Sequence, residues 1–407
     1  MIVHKGFRYR IYPTTEQVAT LVAWRNALRF LWNLALEQRL LGLARHTKRY
    51  YSAFDQAKEL TALRAVVPWL ADVPRNVSVQ MLAVLDEAWQ RCFKRLARRP
   101  RWKRKDRDVL NLCEPHPKIW RLCGSTLHFP KLGPVRAVVH RQLEGTPKTC
   151  TIVQDGDQWF ASIVCEIEIT SPARRTSPVV GLDRGLAVVV ADSDGKLVRN
   201  PRHLERAARR LAHAQRVVSR RQKGSRNRDK AKTRVMRLHR IVRRQRDHFL
   251  HVISADYAKS HGTVVVEDLQ IRNMVRNRHL ARSILDAGWG RLVSFLRYKL
   301  DWSGGQLVAV PAAYSSQTCS ECGHVDARSR RSQSEFACVA CGVVLHADTN
   351  AAIVIKQRFL AVEHTVTACG GFPDVTGPAK QERLVVTRAT RHRRSRASKS
   401  PGLQAGE

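Results

Sequence analysis

Three acidic side chains in this basic sequence are placed where carboxylates could do metal chemistry. Asp183 lies in the strand-like run 179–185, Glu267 ends the apolar run 263–267, and Asp348 follows closely on a cysteine cluster. Carboxylate oxygens are the ligands that Mg²⁺ prefers, and because the ion keeps several waters, a few protein carboxylates suffice. The three acids therefore predict a site that holds two metal ions, about 4 Å apart, against a phosphodiester.

Each acid taken alone has a plainer interpretation. Asp183 could support a turn, and Asp348 could be the N-cap of the helix that follows it. Beside Glu267, Asp268 could be the residue that matters, as a helix cap. The order of the three acids and the sequence around each of them favour one shared metal site over three unrelated roles.

Four of the ten cysteines form a second cluster with a regular spacing. Cys319-x2-Cys322 and Cys338-x2-Cys341 are separated by 15 residues, which is typical of a zinc ribbon with four thiolate ligands. A glycine follows each pair and suits a tight turn, and a redox pair is the alternative interpretation. Because four sulfurs leave no open coordination position, we expect structural zinc. The other six cysteines are scattered along the chain, and we expect them to be ordinary core or surface thiols: Cys92, Cys113, Cys123, Cys150, Cys165 and Cys369.

The elements that must position the acids are two strands and a helix. Residues 178–198 predict a hairpin whose first arm runs from 179 to 192, and 263–267 predicts another strand. A helical pattern occupies 349–362. A sheet with a helix packed at its edge, as in the ribonuclease H-like arrangement, would bring the three acids together. A helix over 279–302 and a strand over 306–310 complete this half of the chain.

The first half of the chain predicts helices followed by short strands. Residues 2–12 predict a strand, and Thr14 and Gln17 have the spacing of a capping box at a helix start. Short β-like runs broken by Pro and Gly fill 109–170 and predict a small barrel or sheet. Two further helices are predicted between these segments, at 52–64 and 76–97.

The charge of the chain indicates a polyanionic partner. Its 407 residues carry 72 Lys and Arg against 34 Asp and Glu, a net charge of +38. Charge of one sign destabilises a compact chain by self-repulsion, and nucleic acid is the natural polyanion to neutralise it. A membrane surface is the other candidate, but the sequence has no apolar stretch of about 18 residues. Since the start also lacks the apolar core of a signal peptide, we expect a cytosolic protein without a membrane role.

Two basic segments are the candidates for nucleic-acid contact. In 98–105 the cations flank one tryptophan, and between 202 and 248 there are 18 Lys or Arg and three acidic residues. The second segment predicts helices over 203–222 and 229–260, broken near Gly224. Solvated basic faces are the plainer interpretation, but the density of charge favours phosphate binding. The candidates are Arg101, Trp102, Lys103, Arg104, Lys105, Arg220, Arg221, Lys223 and Arg226.

Several motifs together resemble one known family. Those around the acids are Gly181-Leu182-Asp183-x-Gly185, Val266-Glu267-Asp268-Leu269 and Asp348-x-Asn350-Ala351-Ala352. They look like the three RuvC motifs of TnpB, a family of transposon-encoded, RNA-guided DNA nucleases related to compact type V CRISPR effectors. The resemblance covers residues 1 to about 357 and is most specific from 178 to 355. Further matching segments are 7–13 with Glu16-Gln17, 100–103, 286–290 and 316–323.

The resemblance implies a fold class, domain boundaries and partners. It implies an α/β multidomain protein with a ribonuclease H-like RuvC nuclease domain, an inserted zinc ribbon, an N-terminal helical recognition domain and a small β-barrel wedge domain. Asp183, Glu267 and Asp348 would be the catalytic acids that hold two Mg²⁺ ions. A guide RNA transcribed from the transposon end and a DNA target beside a short flanking motif would be the partners. The implied boundaries are 1–12 and 101–171 for the wedge barrel, 13–100 for the recognition domain, 172–312 and 344–366 for the nuclease, 313–343 for the zinc ribbon and 367–407 for a disordered basic tail.

The sequence departs from the family pattern at two positions. Arg184 follows the first Asp where an apolar residue is frequent, and His346 stands where another Asp is common. Neither departure removes an acid of the triad. An RNA-guided DNA-binding repressor should have lost such acids, so it is disfavoured, whereas a transposase that joins strands would use similar metal chemistry and stays open. A plain zinc-ribbon DNA binder would leave the three acids without a role.

Overall fold

The structure is a computed structural model that describes residues 2–44, 49–105, 108–170 and 172–368, with side chains as far as residue 362. The chain divides into two compact units, Met1–Phe359 and Leu360–Glu407. Both candidate sites lie in the first unit. Among the described residues, no helix is long and apolar enough to cross a membrane.

A seven-stranded antiparallel sheet contains the first strand of the chain and six strands from the region 109–170. Its spatial order is β2-β6-β7-β1-β5-β4-β3, so β1 lies at the centre between strands more than 100 residues away. Within the described chain the outer strands β2 and β3 do not pair with each other, so the sheet has two free edges. The strands are β1 Ile2–Tyr12, β2 Leu112–Glu114, β3 Arg121–Cys123, β4 Thr126–Phe129, β5 Gly133–Val138, β6 Thr146–Asp155 and β7 Gln158–Glu168.

Four helices between β1 and β2 pack on this sheet. The predicted capping box is confirmed, because Thr14 and Gln17 each accept a hydrogen bond from the other's main-chain N–H. Apolar side chains of the helices and of the sheet form one hydrophobic core, in which the rings of Trp24 and Phe129 lie 6.5 Å apart. The helices are α1 Thr15–Gly42, α2 Ala53–Val66, α3 Pro68–Ala71 and α4 Arg75–Phe93.

A second, five-stranded sheet carries two of the three acids. The order is β10-β9-β8-β11-β12, in which β8, β9 and β10 are antiparallel while β11 runs parallel to both β8 and β12. The prediction of one arm from 179 to 192 is wrong, because the chain leaves the sheet at residues 184–187. The strands are β8 Val179–Asp183, β9 Val188–Asp192, β10 Leu197–Arg199, β11 Thr263–Glu267 and β12 Gln306–Val310.

Five helices accompany the second sheet. The prediction of one helix over 279–302 is wrong, because Gly288 has a left-handed φ of 71° that ends one helix and starts the next. A left-handed φ favours glycine, and a Cβ at Gly288 would also lie 2.9 Å from Leu250 Cδ1. The helices are α5 His203–Arg220, α6 Arg226–Ser260, α7 Ile271–Met274, α8 Arg278–Ala287 and α9 Trp289–Ser303.

The last elements follow the cysteine cluster. Strands β13, Glu335–Ala337, and β14, Val344–His346, pair with each other, and helix α10 runs over Ala347–Ala368. The predicted tail 367–407 lies outside the described residues apart from its first two, which belong to α10.

The turn between β6 and β7 holds the first sheet against helix α6. Asp157 accepts hydrogen bonds from Arg237 and Arg240, and Asp155 accepts one from Arg243. In the ion pair between Arg240 and Asp157, the arginine is buried while the carboxylate remains partly exposed. These arginines of the basic helix are therefore occupied within the protein.

Candidate functional site

Asp183 and Glu267 meet at one edge of the five-stranded sheet. Asp183 is the last residue of β8 and Glu267 the last residue of β11. The two strands are parallel neighbours with Val266 opposite Leu182, so the acids that follow are directed to the same edge. Glu267 is buried, whereas the neighbouring Asp268 is exposed and does not cap the short helix α7, whose N-cap is Gln270.

Helix α10 brings Asp348 to this edge. Asp348 is the second residue of the helix rather than its N-cap, and its main-chain N–H donates to His346 Nδ1. The helix lies so close to β8 that a Cβ on Gly181 would be 2.1 Å from the carbonyl oxygen of Ala352. The glycine of the first acidic motif and the small alanines of the third are therefore what lets the strand and the helix approach.

Burial and neighbouring carboxylates both affect the ionisation of the acid site. Burial raises the pKa of Asp183 to about 7, with further contributions from the carboxylates of Glu267 and Asp348. The three acids therefore influence one another, although they are not tightly clustered. Within the described part of the chain, only the four cysteines place three or more candidate ligand atoms all within 4.8 Å of one another.

Three side chains contact the acidic residues in ways that the sequence did not predict. Ser315 donates a hydrogen bond to Glu267 Oε1, and Arg330 Nη2 lies 3.1 Å from Asp348 Oδ1. Arg184 donates from Nη2 to the main-chain oxygen of Glu267. No periodicity marks Ser315 or Arg330, because their partners are 48 and 18 residues away in the chain. Arg184 was noticeable in the sequence, because it departs from the family pattern.

The donor set of this site fits a divalent metal. Its oxygens are carboxylates, which suit Mg²⁺. Burial, and after it the carboxylates of Glu267 and Asp348, raise the pKa of Asp183 and so disfavour its charged form. A bound cation would favour the charged form.

The four cysteines are already arranged as a metal site. Cys319 Sγ lies 3.7 Å from Cys341 Sγ, and Cys322 Sγ lies 3.6 Å from Cys338 Sγ. Gly323 and Gly342 have φ values of 72° and 76°, which confirms the expected tight turn after each pair. Four sulfurs at these separations could hold a zinc ion.

The sulfurs are electrostatically unequal. Main-chain N–H groups of Cys341 and Ala340 lower the pKa of Cys338 to about 6. The N–H of Val343 lowers the pKa of Cys341, but burial and the three neighbouring thiols outweigh it and raise that pKa to about 12. Thiols this close cannot all ionise unless a cation compensates them.

Asn350 joins the cysteine cluster to the acid site. It is fully buried, accepts a hydrogen bond from the N–H of Ser320 at 2.9 Å, and donates to the carbonyl of Thr318 at 2.8 Å. Since Asn350 lies two residues after Asp348 on α10, it fixes the cysteine loop to the helix that carries the third acid. Sequence reasoning noted Asn350 in a motif but gave it no role.

Three family models match parts of the chain. Residues 162–278 match the family described as "Probable transposase", residues 289–355 match the Cas12f1-like TNB domain, and residues 1–51 match a family described as a helix-turn-helix domain. A relative from Escherichia coli (strain K12), with the name "Putative RNA-guided DNA endonuclease InsQ", is 33% identical over 405 residues, 95% of this chain and 99% of the relative. The chain belongs to the TnpB family.

Further comparisons extend this result. A second relative of the TnpB-family chain, from Streptomyces pristinaespiralis and also named an RNA-guided DNA endonuclease, is 35% identical over 381 residues, 90% of this chain and 91% of the relative. A solved Cas12f1–sgRNA–target DNA complex covers 87% of this chain and 99% of its own at 14% identity, but its TM-score of 0.33 carries no structural argument. The described part of 1–51 contains one strand, β1, and one long helix, α1.

Residues 101–105 form a basic strip that is fixed to helix α1. Side chains of the helix bond the main chain of the strip. Trp32 donates to the carbonyl of Arg101, and Asn33 bonds both the N–H and the carbonyl of Lys103. Lys103 Nζ lies 4.6 Å from the ring centroid of Trp32. Trp102, Arg104 and Lys105 are exposed, so the backbone is held while these side chains remain accessible.

The other predicted cations lie where helices α5 and α6 meet. Arg220 ends α5, Arg226 begins α6, and Arg221 and Lys223 lie between them; all four are exposed. In the part of the chain that is described, none of these four forms an ion pair. They contrast with Arg237, Arg240 and Arg243 of the same helix pair, whose charges are used within the protein.

Proposed function

We propose that this chain is a transposon-encoded, RNA-guided DNA endonuclease that cuts its target at the Asp183–Glu267–Asp348 site. The observation that carries the proposal is that two parallel strands and a helix packed on one of them bring these acids from three distant segments to one sheet edge, in a chain of net charge +38. Relatives that match nearly the whole chain are named as enzymes of this activity. Nucleic acid explains the excess cations, and the acid site provides a place to cut it.

The nuclease domain would be ribonuclease H-like and comprise 172–312 and 344–366. Three antiparallel strands continued by two parallel ones, with α10 packed on β8, support this assignment. Residues 313–343 would be an inserted zinc ribbon in which Cys319, Cys322, Cys338 and Cys341 hold structural zinc. Residues 1–12 and 101–171 would be the wedge domain, and 13–100 would be the recognition domain. Side chains of these two domains share one hydrophobic core.

Asp183, Glu267 and Asp348 would hold two Mg²⁺ ions. When bound, such ions supply an activated water and stabilise the leaving oxygen of the cleaved phosphodiester. The side chains of the chain itself orient this site: Ser315 holds one oxygen of Glu267, and Arg330 holds one oxygen of Asp348. Arg330 would also offer a positive charge to a phosphate bound at these acids.

A guide RNA from the transposon end and the target DNA would be bound by the basic surfaces. Base pairing between RNA and DNA would select the sequence, while the protein would read a short motif beside the target. The strip 101–105 and the cations at 220, 221, 223 and 226 support this, since they are accessible and aromatic stacking is available at Trp102.

Reprogramming tests the proposed function. The RNA that copurifies with the chain is sequenced, its guide segment is exchanged, and DNA libraries carrying the old or the new target are incubated with the complex and Mg²⁺. We expect one defined RNA, and cutting that follows the new guide. Cutting that ignores the guide, or a chain without defined RNA, would contradict the proposal. Asp301→Ala, at an exposed acid outside the site, is the matched control for acid substitutions.

A transposase that joins strands is the second candidate, because residues 162–278 match a family described as "Probable transposase". The acids would serve either reaction. Incubation of a labelled transposon end with target DNA separates the two: joined products that form without RNA favour the transposase, and RNA-dependent cleavage alone favours the nuclease.

A further inference from the structure

Arg184 places a permanent positive charge inside the acid site. It follows Asp183 directly and is only 6% exposed. Its Nη2 donates to the main-chain oxygen of Glu267, and its Nε has no hydrogen-bond partner in the described residues. Burial lowers the pKa of Arg184, while the carboxylates of Glu267, Asp183 and Asp268 act in the opposite direction. The guanidinium is therefore buried beside the main chain of Glu267, on the residue that follows Asp183.

A structural role alone does not account for this side chain. Holding one carbonyl requires a single donor, whereas a guanidinium has five and stays charged even when buried. Burying that charge is costly unless nearby carboxylates compensate it, and the orphaned Nε adds to the cost. A neutral donor would hold the carbonyl of Glu267 at lower cost, so the charge itself needs an explanation.

We propose that Arg184 is a positioning residue that sets the affinity of the acid site for divalent metal. It offsets part of the negative charge of Asp183, Glu267 and Asp348, so that the acids alone bind metal weakly. Filling of the site then depends on the additional oxygens that a bound phosphate brings. This inference rests on the proposed function, in which the three acids hold the metal.

The expected effect is large enough to measure. For charges about 6 Å apart in an effective dielectric of about 20, removing one unit charge changes the affinity for a cation by roughly tenfold or more. Arg184→Gln removes the charge but keeps an amide donor for the carbonyl of Glu267. Arg184→Lys keeps the charge and is the matched control.

The test is a Mn²⁺ titration of the purified full chain with its bound nucleic acid, followed by electron paramagnetic resonance. The Mn²⁺ that Asp183→Ala loses defines the acid site and separates it from Mn²⁺ on RNA. We expect Arg184→Gln to bind this Mn²⁺ about tenfold or more tightly than the unsubstituted chain, and Arg184→Lys to bind within about threefold of it. Where the Gln variant does not fold, as judged by its melting curve, Arg184→Met takes its place.

The outcomes separate the inference from the proposed function. Unchanged or weaker Mn²⁺ binding in the neutral variants would overturn the role of Arg184, as would a Lys variant that behaves like the neutral ones. If Asp183→Ala loses no Mn²⁺ at all, the metal site itself is absent, and the proposed function fails together with the inference.

Discussion

The cysteine cluster and the acid cluster both gather groups that are negative when ionised, but they are built in opposite ways. The cysteines come from 23 consecutive residues, and their sulfurs lie within 4.8 Å of one another. The acids come from two strands and a helix that span residues 183–348, and they are further apart. Arg184 donates to the main chain of Glu267 and Arg330 pairs with Asp348, whereas no ion pair of a described residue involves the cysteines.

The difference is the one expected between a structural metal site and a catalytic one. A cluster formed by local turns is ready for a metal and has no open position, so a zinc ion held there would contribute to folding. A cluster formed by distant elements depends on the whole fold, and the neighbouring arginines would offset its charge while no metal is bound. The first should fail by unfolding when it is damaged, and the second by loss of chemistry.

Loss of a cysteine ligand should have the largest effect. Cys338→Ser is expected to remove the zinc and to unfold the segment 313–343, because structural zinc contributes about 10 kcal/mol or more to the folding of such small sites. Zinc content by mass spectrometry and limited proteolysis measure this. Cys123→Ser, at an exposed thiol outside the cluster, is the control. A variant that keeps its zinc would show that the four sulfurs are not the ligand set.

Loss of an acid should abolish cutting and spare the fold. Asp348→Asn is expected to slow target cleavage by about a thousandfold or more, the scale of losing a group that stabilises the transition state. Its melting temperature should change little, since the loss of one of three repelling charges offsets the loss of the ion pair with Arg330. Cleavage rates and melting curves are compared with those of Asp256→Asn, at an exposed acid. Unfolding without zinc loss would contradict the contrast between the two clusters.

Asn350 should couple the two clusters. Asn350→Ala leaves a buried N–H and a buried carbonyl without partners and is expected to cost about 2–3 kcal/mol of stability. Zinc should be retained while cleavage falls, because the ribbon is no longer fixed to the helix of Asp348. Chemical denaturation together with zinc content measures both effects. Full activity with full zinc would show that the clusters are independent.

The Asp157 pair should affect stability without affecting either cluster. Burial would raise the pKa of Asp157, but hydrogen bonds from Arg240 and Arg237 outweigh it and hold that pKa at about 2. Since an unfolded Asp has a pKa of about 3.9, this stabilisation is complete above about pH 4 and is lost as pH falls towards 2. Asp157→Asn should therefore remove about 1–2 kcal/mol at pH 7 and flatten the acid limb of the stability curve. Denaturation at several pH values tests this, and a shift in zinc content or Mn²⁺ binding would contradict it.

The sequence predicted the parts of each site that local pattern determines. Spacing alone was enough for the cysteines, and the strands and helix that carry the acids were found by their apolar patterns. Packing between distant segments was not predictable: Gly181 against Ala352, Ser315 on Glu267 and Arg330 on Asp348 each depend on how the elements meet. The break at Gly288 was missed because apolar periodicity continues through it, and the roles of the cations in 101–105 and 220–226 stay predictions.

The most direct test of the account is where metal binds in the protein. Crystals or frozen complexes of the chain with its RNA, a target that cannot be cut and Mn²⁺ would show the ions by anomalous scattering or as density. We predict ions contacted by carboxylate oxygens of Asp183, Glu267 and Asp348 together, at about 2.0–2.2 Å, the range of first-row metal–oxygen bonds. Ions located elsewhere, or carboxylates that remain too far apart to share one, would contradict it.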